Sequence, residues 1–387
     1  MPKTKRRIRR ILRLAPVLAL LVGCGVALPL PATAATSGAS PADGPEYVAL
    51  GDSYAAGYGL TQPTDRPVAA CGQSALDYPH LVASSLGLDL TDVSCAGATT
   101  ADIVSTRQHG ADPQADALGS QTKVVTVSIG GNDAGLFSTA SKCIAVAKEG
   151  PVISSGASSC RSALVTDGVD SLAAAIDGHV TSGLRSAFAT IASRAPQAKV
   201  IVVGYPAIFP DAAHTPAAGC FRPVVSASTL TDGLPTNGFP FTATDVKYLS
   251  GVQNHLDDAL RSATKAAGFT YVSTLAATRA HSGCATSGSY MQGITLIASA
   301  GFSDISLQRG ALHPNAAGAR FLAAQTGAAV AAALAPTASP SPTSSPTGSD
   351  GFTIDLGWIV FGGILVVFAV IVLLAWRGIT RARADRR

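Results

Sequence analysis

The chain is 387 residues long, 47% hydrophobic and only 13% charged, with a formal net charge of +4. That positive sign comes from the ends: seven Lys or Arg crowd the N-terminal stretch, five Arg and one Asp the C-terminal one, and 16 basic residues face 23 acidic ones between them. The interior is therefore mildly acidic, which excludes a nucleic-acid partner, since that would need clustered Lys and Arg, and makes an anionic polymer a poor ligand.

The basic cluster from Lys3 to Arg13, the apolar run from Leu14 and the small-x-small pattern Ala32-Thr33-Ala34 predict a secretory signal peptide over residues 1–34. A short linker, 35–44, follows. Leu21-Val22-Gly23-Cys24 also fits a lipobox that would place a lipid on Cys24, although Gly25 to Leu30 stays apolar where a lipoprotein usually turns polar. Both readings stand at this point.

Residues 45–335 are long enough for one domain with a substantial core. Five short apolar runs read as strands: Tyr47–Leu50, Leu90–Val93, Val124–Ile129, Val200–Val203 and Phe269–Val272. Between and after them Ser162–Ala195, Asp245–Ala267 and Ala316–Leu334 read as helical. Strand and helix alternation predicts an α/β protein, a three-layer α/β/α sandwich around a five-stranded, mainly parallel sheet. Ala134–Ser159 and Ala207–Thr244 lack periodicity and carry Cys, Gly and Pro, so they are expected to be long loops and candidate walls of a ligand pocket.

Residues 336–355 are rich in Pro, Ser and Thr and read as a solvated stalk. Leu356–Trp376 is uncharged and, at about 1.5 Å per residue, long enough to cross a hydrocarbon core of roughly 30 Å. Trp358 and Trp376 stand near its ends, and the basic tail 377–387 follows. The expectation is a single-pass membrane protein with the large domain outside and the C-terminus in the cytoplasm.

Four clusters within the domain carry chemistry: Gly51-Asp52-Ser53-Tyr54, Ser94-Cys95-Ala96-Gly97, Gly130-Gly131-Asn132-Asp133 and Leu312-His313-Pro314-Asn315. Ser53 follows the first strand directly, at the carboxyl end of a parallel sheet where open α/β folds build ligand sites. Asp52 reads as a turn residue. A serine hydroxyl needs a base, and histidine titrates near neutrality. His80, His109, His179, His214, His255 and His281 lack the context of His313, which stands before Pro314-Asn315 and the last helix.

In this order the clusters resemble the SGNH hydrolases, the GDSL lipases and esterases, over roughly Glu46 to Leu334, in an actinobacterial secreted-esterase-like branch with a flavodoxin-like fold. The resemblance implies Ser53 as nucleophile, His313 as base, and Ser53, Gly97 and Asn132 as the oxyanion hole. It implies a carboxylic ester hydrolase acting on a lipid or on an acylated small molecule or glycan, with no cofactor and no metal. Consistently, no Cys-x-x-Cys spacing suggests zinc. Two alternatives share the sequence: an acyltransferase using the same site, and an inactive surface binding module.

An even set of six cysteines in an exported domain suggests disulfides, and sequence alone leaves their pairing open. Similar bacterial enzymes suggest neighbour pairing: Cys71 with Cys95, Cys143 with Cys160, Cys220 with Cys284. One position departs from the family. Where relatives commonly carry an aspartate three residues before the histidine, this chain has Gly310. The imidazole must then be oriented by a backbone carbonyl near Gly310 or by a carboxylate from elsewhere, with Asp304 the nearest upstream candidate.

Overall fold

The computed structural model describes residues 46–226, 229, 233–299 and 304–336. The signal peptide, the linker up to residue 44, nearly all of the stalk, the apolar span and the basic tail lie outside the described residues. Among the described residues, no helix is long and apolar enough to cross a membrane.

The elements follow the chain as β1 (Glu46–Gly51), α1 (Tyr78–Leu86), β2 (Asp89–Asp92), α2 (Thr100–Val104), β3 (Val124–Ser128), α3 (Leu136–Ser141) and α4 (Cys160–Leu164). Then come β4 (Val165–Thr166), β5 (Val169–Asp170), α5 (Ser171–Ala175), α6 (Thr181–Arg194) and β6 (Lys199–Val203). Last are α7 (Ala243–Ala266), β7 (Thr270–Val272), β8 (Leu296–Ala298), β9 (Ile305–Leu307) and α8 (Ala316–Leu334). One parallel sheet runs β2-β1-β3-β6-β7, so β1 and β3 lie at its centre.

Alternation along the strands divides the core into two layers. Tyr47 and Ala49 of β1 face Tyr78 and Val82 of α1 and Leu322 and Val330 of α8. Val48 and Leu50 face the other way, into a larger cluster with Ile103 of α2, Leu184 and Phe188 of α6 and Leu249 and Leu260 of α7. β3 is buried throughout, as a central parallel strand covered on both faces must be. The three-layer sandwich is the fold that the strand and helix pattern predicted.

Two segments differ from the sequence expectation. Ser162–Ala195 is not continuous helix: an antiparallel hairpin of β4 and β5 interrupts it, turning on Asp167 and Gly168, whose φ values are 52° and 80°. Asp-Gly is the residue pair that a two-residue hairpin with left-handed central residues selects. Ala134–Ser159 is not all loop, since α3 lies in it. Helix α1 carries an overlooked start signal: Asp77 caps it by accepting from the His80 N–H at 2.8 Å, with Pro79 in the first turn.

Candidate active site

The register of the central strands sets the geometry of the cleft. Gly51 at the end of β1 pairs with Ser128 at the end of β3, and the Asp52 N–H donates to the Ser128 carbonyl at 2.9 Å. Ser53 and the Gly130–Asp133 turn therefore leave the sheet side by side at its carboxyl edge. That is the crevice where doubly wound folds place their ligands.

His313 comes to the same place from 260 positions further along the chain. Its Nε2 lies 2.7 Å from the Ser53 Oγ. Nδ1 on the other side of the ring is 2.8 Å from the Ala311 carbonyl, so the ring donates there and leaves Nε2 to accept the serine proton. Both side chains are buried. Tyr54, Tyr58 and Phe137 surround the imidazole at centroid distances of 5.0, 5.4 and 5.1 Å. Burial lowers the His313 pKa to about 4, with the Ala311 carbonyl offsetting part of that fall. The ring is thus neutral at physiological pH and free to accept a proton.

The orienting group is a backbone carbonyl beside Gly310, the first of the two alternatives the sequence left open. It is the carbonyl of Ala311. The Gly310 carbonyl instead accepts from the His313 N–H at 2.9 Å. Asp304 is exposed at the start of β9, where its N–H donates to the Ser299 hydroxyl at 3.0 Å. A carboxylate at position 310 is disfavoured by the backbone itself. Gly310 has φ +87°, and a Cβ there would lie 2.6 Å from the Gln292 amide.

Asn132 lines the same pocket as Ser53, and its side chain is hydrogen-bonded to the residue after Gly97. The Asn132 Nδ2 donates one hydrogen to the Ala98 carbonyl at 3.0 Å, leaving its second hydrogen for a ligand. Among the described residues, neither the Ser53 N–H nor the Gly97 N–H has a hydrogen-bond partner. These donors cost nothing to redirect onto a developing negative charge.

Four side chains brace this arrangement, and of them only Asp52 has a role legible in the sequence, as a turn residue. The Tyr205 hydroxyl donates to Asp52 Oδ2 at 2.5 Å and accepts from the Gly131 N–H at 2.9 Å, joining the nucleophile turn to the Asn132 turn. Asp52 also accepts from the Tyr54 N–H at 2.9 Å, so it is the turn residue expected, yet one whose pKa burial raises to about 7. Asp133 accepts from the Thr100 N–H at 3.0 Å and from the Thr100 hydroxyl, tying the Asn132 turn to α2, which begins three residues after Gly97. The Tyr54 hydroxyl donates to the Leu312 carbonyl at 2.8 Å and pins the residue before His313.

The disulfides reinforce the same loops. Cys71–Cys95 clips the segment after Ser53 to the Gly97 turn, while Cys143–Cys160 and Cys220–Cys284 hold the two long connections. Those connections do wall the cleft. Phe137 and Ile208, one from each, join Phe209, Leu249 and Leu256 in an apolar pocket of about 70 Å³ that opens beside Ser53 and Asn132. Beyond His313 a second groove runs past Tyr58, Ile144, Ile294 and Leu307.

The sequence profile of the GDSL-like lipase/acylhydrolase family matches residues 49–321. A Streptomyces coelicolor protein named Lipase 2 is 36% identical over 303 residues, which cover 77% of this chain and 91% of the relative. Two solved structures at 23% identity share the fold, each covering 74% of this chain and 99% of its own. They are the extracellular lipase of Streptomyces rimosus, with a TM-score of 0.53, and the phospholipase A1 of Streptomyces albidoflavus NA297, with 0.50. With the profile spanning most of the domain and the sequence identity extending over nearly all of Lipase 2, the chain belongs to the GDSL-like lipase/acylhydrolase family and is a carboxylic ester hydrolase.

Proposed function

We propose that the enzyme works through an acyl-serine intermediate, with Ser53 as nucleophile and His313 as the general base that activates it. Ser53 Oγ attacks the acyl carbonyl carbon while its proton passes to His313 Nε2. The oxygen that gains charge accepts from the Ser53 N–H, the Gly97 N–H and the Asn132 amide. The tetrahedral intermediate then expels the alcohol, which takes the proton back from His313. Water attacks the acyl-serine with His313 again as base, releasing the acid. The imidazolium formed in each half is steadied by the Ala311 carbonyl, so the catalytic unit is a dyad oriented by backbone.

The observation that carries this reading is the 2.7 Å contact between His313 Nε2 and Ser53 Oγ in a buried setting. The apolar pocket beside Ser53 favours an acyl chain longer than acetyl. Hydrolysis of nitrophenyl esters from acetyl to decanoyl by the purified protein tests both parts. Turnover is expected to rise with chain length and to vanish in Ser53→Ala. Undiminished turnover in that variant would remove Ser53 from the reaction.

We also propose that the enzyme acts at the cell membrane, exported by the leader and held by the Leu356–Trp376 helix with its active domain outside. The charge asymmetry around that segment supports this orientation. External protease releasing a soluble active domain from intact cells is the expected result, and protection of the domain would refute it.

A further inference from the structure

On the far edge of the sheet from the β7 side, three ligand-type side chains converge where α1 begins and β2 ends. Asp77 and Asp92 have side chains only 0% and 3% exposed, and His80, at 31%, stands at the opening. One oxygen of each aspartate is fully engaged. Asp77 Oδ1 accepts from the His80 N–H at 2.8 Å, and Asp92 Oδ1 accepts from the Ser94 N–H at 2.9 Å and the Ser94 hydroxyl at 2.6 Å. The other oxygen of each, Oδ2, is buried with no hydrogen-bond partner. The Tyr78 hydroxyl beside them is also buried and unpaired.

Two neighbouring carboxyls buried without a donor on Oδ2 are costly to ionise together, because little replaces the water each has lost. The two side chains also lie within hydrogen-bond reach of each other, so without an ion they can share one proton. His80 Nδ1 is 2.7 Å from Asp77 Oδ1 and 3.7 Å from Asp92 Oδ2, and one ligand atom from each of the three residues fits within 4.8 Å of the others. A tetrahedral zinc holds such atoms at about 2.1 Å from itself and hence roughly 3.4 Å apart, so the cluster would close by small side-chain movements.

We propose that Asp77, His80 and Asp92 form a binding site for a divalent transition-metal ion of the zinc or manganese type. One imidazole nitrogen and two carboxylate oxygens suit that class better than calcium, which prefers oxygen alone. The ion takes the place of any proton on His80 Nδ1 and of any proton shared by Asp77 and Asp92, releasing them to solvent, and water reaches the remaining position past the partly exposed ring. The expectation of no metal rests on a serine mechanism that needs none and on cysteine spacing, and both are blind to this set. Bound there, the ion joins the cap of α1 to the turn that leads from β2 through Cys95 to Gly97, so its role is structural.

The purified full-length protein, stripped with chelator, is titrated with Zn²⁺, Mn²⁺ and Ca²⁺ while Tm and binding heat are recorded. Zn²⁺ or Mn²⁺ is expected to raise Tm by roughly 5 °C at a hundredfold excess over Kd. In Asp92→Asn and in His80→Gln the rise and the heat are expected to disappear while nitrophenyl ester turnover persists. Metal-free Asp92→Asn is expected to be no less stable than the stripped wild type, since its amide can donate to the bare Asp77 oxygen. No response to Zn²⁺ or Mn²⁺, a response confined to Ca²⁺, or a response that survives in both variants would overturn the site.

Discussion

On one side of Ser53 the proposed oxyanion donors Gly97 and Asn132 ride on turns that leave β2 and β3, bound to each other through Asn132 and Ala98 and through Asp133 and Thr100, with Tyr205 joining Gly131 to Asp52 of the Ser53 turn. On the other side His313 arrives on the connection from β9 to α8, held by backbone bonds to Gln292, by the Tyr54 hydroxyl and by aromatic contacts, with no carboxylate behind it. The first half is fixed by a polar network on a rigid sheet. The second is fixed by packing and main chain, and Leu312 there adopts a left-handed φ of 61° that a non-glycine residue holds only under constraint. On the proposed mechanism, the contrast assigns the electrostatic work of catalysis to the half carrying Gly97 and Asn132 and the positional precision of the base to the other.

Removing a donor from the network half should therefore have the largest effect. Asn132→Ala is expected to lower kcat about 10² to 10³-fold. Because the amide is half-buried and the Ala98 carbonyl it leaves unpaired is buried, the variant should lose about 1 kcal/mol, a fall in Tm of a few degrees that leaves it folded. Near-normal turnover in this variant would take Asn132 out of the oxyanion hole and dissolve the division of labour.

On the histidine half the informative change restores the residue that relatives commonly carry. Gly310→Asp is expected to destabilise the protein by about 1 to 3 kcal/mol, because the φ of +87° penalises any side chain and the Gln292 amide must move aside. Activity should fall with it, since Nδ1 is already satisfied by the Ala311 carbonyl. A gain in kcat without loss of Tm would mean that the base lacks electrostatic support that a carboxylate could supply.

Much of this was legible in the sequence because strand ends and motif clusters coincide. Val48-Ala49-Leu50 running into Ser53 fixed the serine at the sheet edge, and the late His313-Pro314 block before α8 marked the base. What the sequence hid is contact across long separations. Tyr205 stands in none of the four clusters, yet its hydroxyl joins two turns far from it along the chain, whereas the carbonyl that orients His313 lies two residues away and was one of the two alternatives open in the sequence. The interruption of Ser162–Ala195 was visible as Asp167-Gly168, but the apolar periodicity around it outweighed a two-residue turn signal. Asp77, His80 and Asp92 are unremarkable along the chain and become a group only when α1 is laid beside β2.

A matched pair of tyrosine changes compares the two halves at smaller scale. Tyr205→Phe strips the hydroxyl that bridges Asp52 and Gly131, and Tyr54→Phe strips the donor to the Leu312 carbonyl. Each leaves buried polar atoms unpaired, at a cost of about 1 to 3 kcal/mol. Both should reduce kcat about tenfold or less, with KM little changed. Only Tyr54→Phe is expected to shift the pH dependence, because only that bond holds the loop carrying the base.

The pH profile itself gives the finest discrimination, since two buried groups of the site pull in opposite directions. His313 has a native pKa near 4 against 6.5 for the free side chain, so the native state resists a proton that the unfolded chain accepts. Its contribution to stability is intact above pH 6.5 and is lost as pH falls toward 4. Asp52, raised from 3.8 to about 7, behaves in reverse: its contribution is full below pH 3.8 and is lost as pH rises through 7. For catalysis the base must be neutral, so kcat/KM is expected to hold as pH is lowered to 5 and to fall through a limb near pH 4. A limb at 6.5 would mean that the imidazole is solvated in the working enzyme. The aromatic enclosure of Tyr54, Tyr58 and Phe137 would then be open, and packing could not be what holds the histidine half together.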